Sequence, residues 1–470
     1  MKIIIQSLAN AEDNAMLQAL YSRSAESVTT HLKRVEEVGS GKFMSQYYLG
    51  YGHASIGDCG SDTVFIEGIS MLAAKAIEDN PLFAGQECSS RYIDFSTQPF
   101  WNPSVKNSDN EYLIGELYSK FRKFYTDSLE PLKANLKLRF PKKEDDKDAV
   151  YEKAIAARAF DILRGFLPAG ATTNVAWSFR LSNAAEHLVW MMHHPLGEVR
   201  RIGASVYAQL HDKYPNSFKA DYADVIDADY FDDINYKHVV RSIEGDERWS
   251  YMSMLENFYT PIYDEKVFTK VAGHEDLGFD VDVEEDFFET ADEFPGFKQR
   301  VRRTPISKHS PIARRRMKIF GFLDFGSFRD IQRHRNGDCN MPLLTPEYGL
   351  HPWYYENLTE ELRREAYILL NAIEETYYKV LGHDYSWGDI AEAQYILPMG
   401  YLVGVGLRYT VRQAVYVAEL RSGKTVHATL RPLAQAIGES LVAMEVPVFY
   451  DSEESDWTVR RGEQDIVAKS

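Results

Sequence analysis

Residues 329–346 read RDIQRHRNGDCNMPLLTP and place Arg333, His334 and Arg335 side by side. Two guanidinium forks around an imidazole concentrate N–H donors over a short span, a set suited to an anionic ligand. A second set stands in GQECSSRY, residues 85–92. There Ser89 and Arg91 offer a hydroxyl and a fork to a phosphate, and Tyr92 offers a ring to stack on or hydrogen bond to a base. Taken singly, each segment also reads as an ordinary basic face or surface stretch. Cys59, Cys88 and Cys339 have no C-x-x-C spacing and cannot all pair, so neither a disulfide framework nor a cysteine zinc site is expected. Cys88 and Cys339 read as small packing residues. The adjacent His193 and His194 read as a helix end rather than a metal site. His427 and Arg431, four residues apart, are expected on one helical face.

The elements that must position these groups occur twice. GHASIGDCGSDTVFIEGIS gives a His-x-Ser turn, a strand-like run through Val64 and Ile66, and the helix-like MLAAKAIED. KHSPIARRRMKIFGFLDFGS repeats that order with His309 and Ser310, a strand-like run through Ile319 and Phe322, and then FRDIQRHR, with Asp324 or Ser327 as N-cap. RGFLPAG and QYILPMG then form a second pair of landmarks, each ahead of a helical stretch. Val426, Leu430, Leu433, Ile437 and Leu441 make one apolar stripe, in which Pro432 predicts a kink or a late helix start. The same order appearing twice argues for duplication. Between the halves, residues 275–294 hold ten acids in twenty positions and read as a solvated connector. The nine Lys or Arg of residues 298–318 could pair with that run or face an anionic ligand.

A chain of 470 residues has room for two or three domains, and an apolar fraction of 44% fits a globular protein. With 53 basic and 70 acidic residues the net charge is −17, which works against general attraction to nucleic acid or anionic membrane. Any anionic ligand must therefore be held by a local cluster. No apolar run approaches the ~18 residues needed to span a bilayer, and from the polar N-terminus no signal is expected. A soluble, cytoplasmic protein is expected.

In this order the two sets resemble the flavin-dependent thymidylate synthases. That family's signature runs R-H-R, seven residues, then S-x-R-Y, with a G-H-x-S turn upstream. Here it is divided. The second half keeps Arg333, His334, Arg335 and Asn340 but has Leu343, Thr345 and Pro346 where Ser, Arg and Tyr belong. The first half has Asp79, Asn80 and Pro81 in place of R-H-R but keeps Ser89, Arg91 and Tyr92. Downstream, Arg164 matches a nucleotide-binding Arg of the family whose second-half counterpart is Gln394, and Arg421 matches an Arg taken to act on the uracil ring, where the first half has Trp190 and Met191. Each half lacks what the other keeps.

The resemblance implies an α+β fold of two tandem domains, each with helices and a small antiparallel sheet. It places a first domain at 1–230, a connector at 231–297 and a second domain at 298–470. It implies FAD held by Arg333, His334, Arg335, Ser310, Asn340 and Arg412, and dUMP or a related pyrimidine nucleotide held by Ser89, Arg91, Tyr92, Arg164 and Gln86. Arg421 would be catalytic, stabilising negative charge on the pyrimidine ring. NADPH and methylenetetrahydrofolate would be co-substrates, no metal or cysteine nucleophile would be needed, and a homodimer would reproduce the family's tetramer. The same flavin chemistry on another pyrimidine nucleotide, with Asp330 standing where the family often has Gln, stays open. So does a non-catalytic nucleotide-binding protein.

Overall fold

The computed structural model of the protein describes residues 1–5, 10–21, 27–46, 56, 58–88, 94–105, 107–144, 146–218, 278–283, 300–308, 311–382, 385–423 and 425–452. Of the expected site residues, Ser89, Arg91, Tyr92 and Ser310 lie outside this set, as does most of the 231–297 connector.

In chain order the first half contributes β1 (Lys2–Ile5), α1 (Ala11–Tyr21), α2 (Val28–Val38), β2 (Ser61–Ser70), α3 (Met71–Glu78), β3 (Ala84–Glu87), α4 (Ser108–Arg139), α5 (Asp148–Leu163), β4 (Thr172–Arg180), α6 (Leu181–Met192) and α7 (Gly197–Lys213). The second contributes β5 (Asp280–Val283), β6 (Arg316–Asp324), α8 (Phe325–Ile331), β7 (Asp338–Asn340), α9 (Pro352–Glu356), α10 (Glu360–Leu381), α11 (Trp387–Ala393), β8 (Leu402–Thr410), α12 (Val411–Arg421) and α13 (Arg431–Ala443). Two antiparallel sheets result, ordered β1-β2-β4-β3 and β5-β6-β8-β7, so the α+β class holds and the strand order is the same in both. In β2, buried Val64 and Ile66 alternate with exposed Ser61 and Phe65, the period-two pattern of a sheet with one covered face.

Each central strand runs directly into a capped helix. Ser70 Oγ accepts from Ala73 N at the start of α3, and Asp324 Oδ1 accepts from Ser327 N at 3.0 Å at the start of α8. Asp324 rather than Ser327 is therefore the cap. Pro432 falls in the first turn of α13, where its missing N–H costs nothing, so the apolar stripe starts late rather than kinking. The helix starts too late to include His427, and the shared helical face expected for His427 and Arg431 does not form. α6 ends at Met192, leaving His193 at its C-cap. Within the acidic run, Asp280–Val283 is the edge strand of the second sheet, so this stretch does more than connect.

By contacts the chain forms two compact units, neither contiguous in sequence: residues 1–88 with 172–241, and residues 89–171 with 242–470. The first unit holds the first sheet with α6 and α7, and buries Trp177 of β4 against His187 of α6. In the second unit α4 packs on both α5 and α10. The two Leu-Pro landmarks meet there as reciprocal pairs. Ala169 N donates to Leu397 O at 2.7 Å and Met399 N to Leu167 O at 2.8 Å; Gly170 N donates to Tyr395 O and Gly400 N to Gly165 O. Equivalent positions of the repeat thus satisfy each other about a local pseudo-two-fold. Glycine is required at the approach, since a Cβ on Gly400 would lie 2.7 Å from the carbonyl of Gly165.

Candidate functional site

The second unit brings together side chains from three separate stretches of sequence. β6 delivers Asp324 to the N-cap of α8, and the turn after α8 carries Arg333, His334 and Arg335. α12 ends on Arg421, and the short helical turn after α5 supplies Arg164.

Arg421 is half-buried, and its Nε donates to His334 Nε2 at 2.8 Å while Nη2 donates to the carbonyl of Asp330 at 2.7 Å. A ring nitrogen that accepts from a guanidinium cannot carry a proton, so His334 is neutral with its proton on Nδ1. Burial, with Arg421 and Arg335 beside it, drives the His334 pKa down to about 3. The edge of the Tyr416 ring lies against it, with centroids 6.0 Å apart. The cation of Arg421 is therefore held at two points by a segment that does not compete for a proton.

Behind this pair lies a buried ionic group. Arg164 is 1% exposed; its Nη1 bonds Asp330 Oδ2 at 3.3 Å and its Nη2 lies 4.0 Å from Asp324 Oδ1. Burial opposes its charge, but Tyr354, Asp330, Asp324 and Asp161 outweigh it and hold the guanidinium above its ordinary pKa. Burial likewise opposes ionisation of Asp324, yet Arg164, His427 and His351 keep its carboxyl below the usual range. Tyr354 OH donates to Asp324 Oδ1 at 2.8 Å. His427 is fully buried, with Nε2 donating to Asp161 O at 3.1 Å and Nδ1 accepting from Thr429 N. Its ring stands edge-on to Trp353, over which Arg158 lies at 4.8 Å.

Of the residues singled out in the sequence, Arg164, His334 and Arg421 meet around Asp330. Arg333 is exposed and Arg335 half-buried on the same turn as His334. Asn340 follows on β7 opposite Gly406, and Arg412 is half-buried in the first turn of α12. Gln86 is exposed on β3, paired with Ala176, in the first unit. Sequence reasoning missed Asp324 as an ion-pair partner and missed Tyr354 altogether, because both act through contacts between distant segments. The only local signal was the N-cap position of Asp324. Among the described residues no cluster of His, Cys, Asp and Glu could hold a metal ion, and the three cysteines are half-buried thiols.

Comparison with known proteins gives a family match and weaker likenesses. Residues 4–216 match the model of the family described as thymidylate synthase complementing protein. A UPF0159 protein of Chlamydia pneumoniae is 23% identical over 83% of this chain and 76% of its own length. A UPF0159 protein of Thermoplasma acidophilum is 23% identical over 90% of this chain and 91% of its own. Among solved structures, the flavin-dependent thymidylate synthase of Helicobacter pylori, in complex with FAD and dUMP, aligns at 13% identity and a TM-score of 0.29, covering 47% of this chain and 98% of that one. A UMP/dUMP methylase of Streptomyces cacaoi bound to 5-Br dUMP aligns at 13% identity and 0.33, covering 47% and 94%.

Proposed function

We propose, from the match of residues 4–216 to the thymidylate synthase complementing protein family model, that the chain moves a one-carbon unit from methylenetetrahydrofolate to C5 of dUMP. The product is dTMP, and NADPH is the reductant of FAD. In this reading the chain is a fused pair of family domains with the signature shared between them, and it pairs with a second copy.

The observation that carries the reading is the two-point clamp on Arg421. A C5 carbon can attack only if negative charge builds on the pyrimidine ring, and a permanently charged guanidinium already fixed in place stabilises that charge without reorganising. His334 contributes as a neutral acceptor that orients Arg421 rather than as an acid or base. Arg164 acts through Asp330, whose carboxylate it holds and whose carbonyl meets Arg421. Ser89, Arg91, Tyr92 and Gln86 would hold the nucleotide phosphate and base.

The residues present fit FAD. Arg333 and Arg335 put two forks on one turn of a chain with net charge −17, and Asn340 and Arg412 add polar contacts, a donor set matched to a diphosphate. When bound there, FAD supplies two-electron redox chemistry and carriage of the one-carbon unit. The reading is tested by supplying the FAD-loaded full chain with dUMP, methylenetetrahydrofolate and NADPH and assaying dTMP by chromatography. Formation of dTMP dependent on all three supports it, and its absence from flavin-loaded protein removes it.

A second reading keeps the chemistry and changes the nucleotide. Asp330 is a carboxylate, which accepts hydrogen bonds and donates none, and so favours a base edge carrying an amine. Parallel titrations with dUMP, UMP and dCMP decide: no preference for dUMP over UMP and dCMP supports this second reading, and preference for dUMP the first.

A further inference from the structure

The second unit contains a cavity of about 470 Å³ whose lining includes none of Arg421, His334, Asp330 and Arg164; it is walled by residues 342–348, the C-terminal end of α10, the start of α11 and the start of β8. Its volume falls in the range of small-molecule sites. Tyr348, Tyr377, Tyr378 and Tyr385 line it together with Glu347. The rings of Tyr377 and Tyr378 stand at 85° with centroids 5.4 Å apart, giving two aromatic walls at a right angle.

Among the described lining residues Glu347 carries the charge. No Lys or Arg is among its lining residues. The nearby Lys379 is engaged by Glu375 at 2.6 Å, and Ser386, which lines the cavity, is the N-cap of α11, with Asp389 Oδ2 accepting from Ser386 N at 2.7 Å. Glu347 lines the same cavity as the four rings, and burial is the main cause that pushes the Tyr377 phenol up. The wall formed by Leu343, Thr345 and Pro346 offers no guanidinium to a phosphate. A nucleotide or polyglutamate anion is therefore disfavoured here, whereas aromatic faces with one carboxylate match a cation whose hydration is weak.

We propose that this cavity binds a small organic monocation of the alkylammonium class, with the tyrosine rings around its body and Glu347 as counter-charge. It is a site separate from the Arg421 cluster, and it stands whether or not the chain methylates dUMP.

The test titrates the full chain by calorimetry with choline, with its uncharged carbon isostere 3,3-dimethylbutan-1-ol, and with inorganic phosphate. Choline should bind saturably and at least ~10-fold tighter than the isostere, and phosphate should not compete with it. Glu347 and Tyr385 have exposed side chains, so Glu347→Gln and Tyr385→Leu should fold; each should weaken choline by ~5- to 10-fold and leave FAD and dUMP binding unchanged. Equal affinity for choline and the isostere, no saturable binding of choline, or unchanged affinity in both variants would overturn the proposal.

Discussion

Arg421 enters the site with its Nε and Nη2 already committed to His334 and to the carbonyl of Asp330. That fixes where its charge sits before any ligand arrives, and pre-positioned charge is worth more in a dry site than charge that must be moved there. Arg421→Ala should reduce turnover by ~100- to 1,000-fold while absorbance near 450 nm, about the position of bound oxidised flavin, is retained. Arg421→Lys should recover little, since a single ammonium cannot meet both acceptors with the same geometry. Arg335→Ala should instead lower the amount of FAD that copurifies, which the same spectrum reads. Residue identity at these places was legible in the sequence because Arg333, His334, Arg335 and Arg421 stand in an order and spacing that resemble a known family signature. The hydrogen bonds that orient them were not legible, because they join residues 87 and 91 positions apart.

At the scale of elements, the repeat of strand, capped helix, strand and paired helices was readable from periodicity and from the two Leu-Pro landmarks. Their mutual pairing was not, because backbone hydrogen bonds between distant segments leave no side-chain pattern. Glycine does mark the contact. Gly400→Ala puts a methyl 2.7 Å from both Gly165 O and Leu350 Cδ1, and should cost about 1–3 kcal/mol in urea unfolding. Asp324 couples the N-cap of α8 to the buried Arg164. Asp324→Asn keeps a capping oxygen but removes a counter-charge from a buried cation, and a loss of about 3–5 kcal/mol is expected from equilibrium denaturation. A change below 1 kcal/mol would mean that Asp330 alone suffices for Arg164. The acidic run between the halves was read as solvent-facing, and four of its residues became an edge strand because alternating Asp and Val leaves one apolar face for β6.

For the whole molecule, three histidines whose pKa is lowered weaken the fold on the acid side. Burial lowers His187 to about 4, and His194 and His334 to about 3, from an ordinary 6.5. Above pH 6.5 folded and unfolded chains carry these rings neutral and the full stability is present. As pH falls from 6.5 toward 3 the unfolded chain binds protons that the folded one refuses, so stability drops by up to about 1.4 kcal/mol per pH unit per histidine. Thermal melts between pH 7.5 and 4.5 should show this decline, and His194→Gln should make it shallower. Composition directed attention to local cationic clusters in an acidic chain, and among the described residues no helix is long and apolar enough to cross a membrane. The account rests finally on whether the clamped Arg421 drives chemistry at C5. The direct measurement is tritium release from 5-tritiated dUMP by FAD-loaded full chain with methylenetetrahydrofolate and NADPH, with flavin content read in the same sample. The wild-type chain should release tritium, and Arg421→Ala should release it ~100-fold more slowly or worse at equal flavin content. No release from flavin-loaded wild type, or equal release from the variant, would contradict the account.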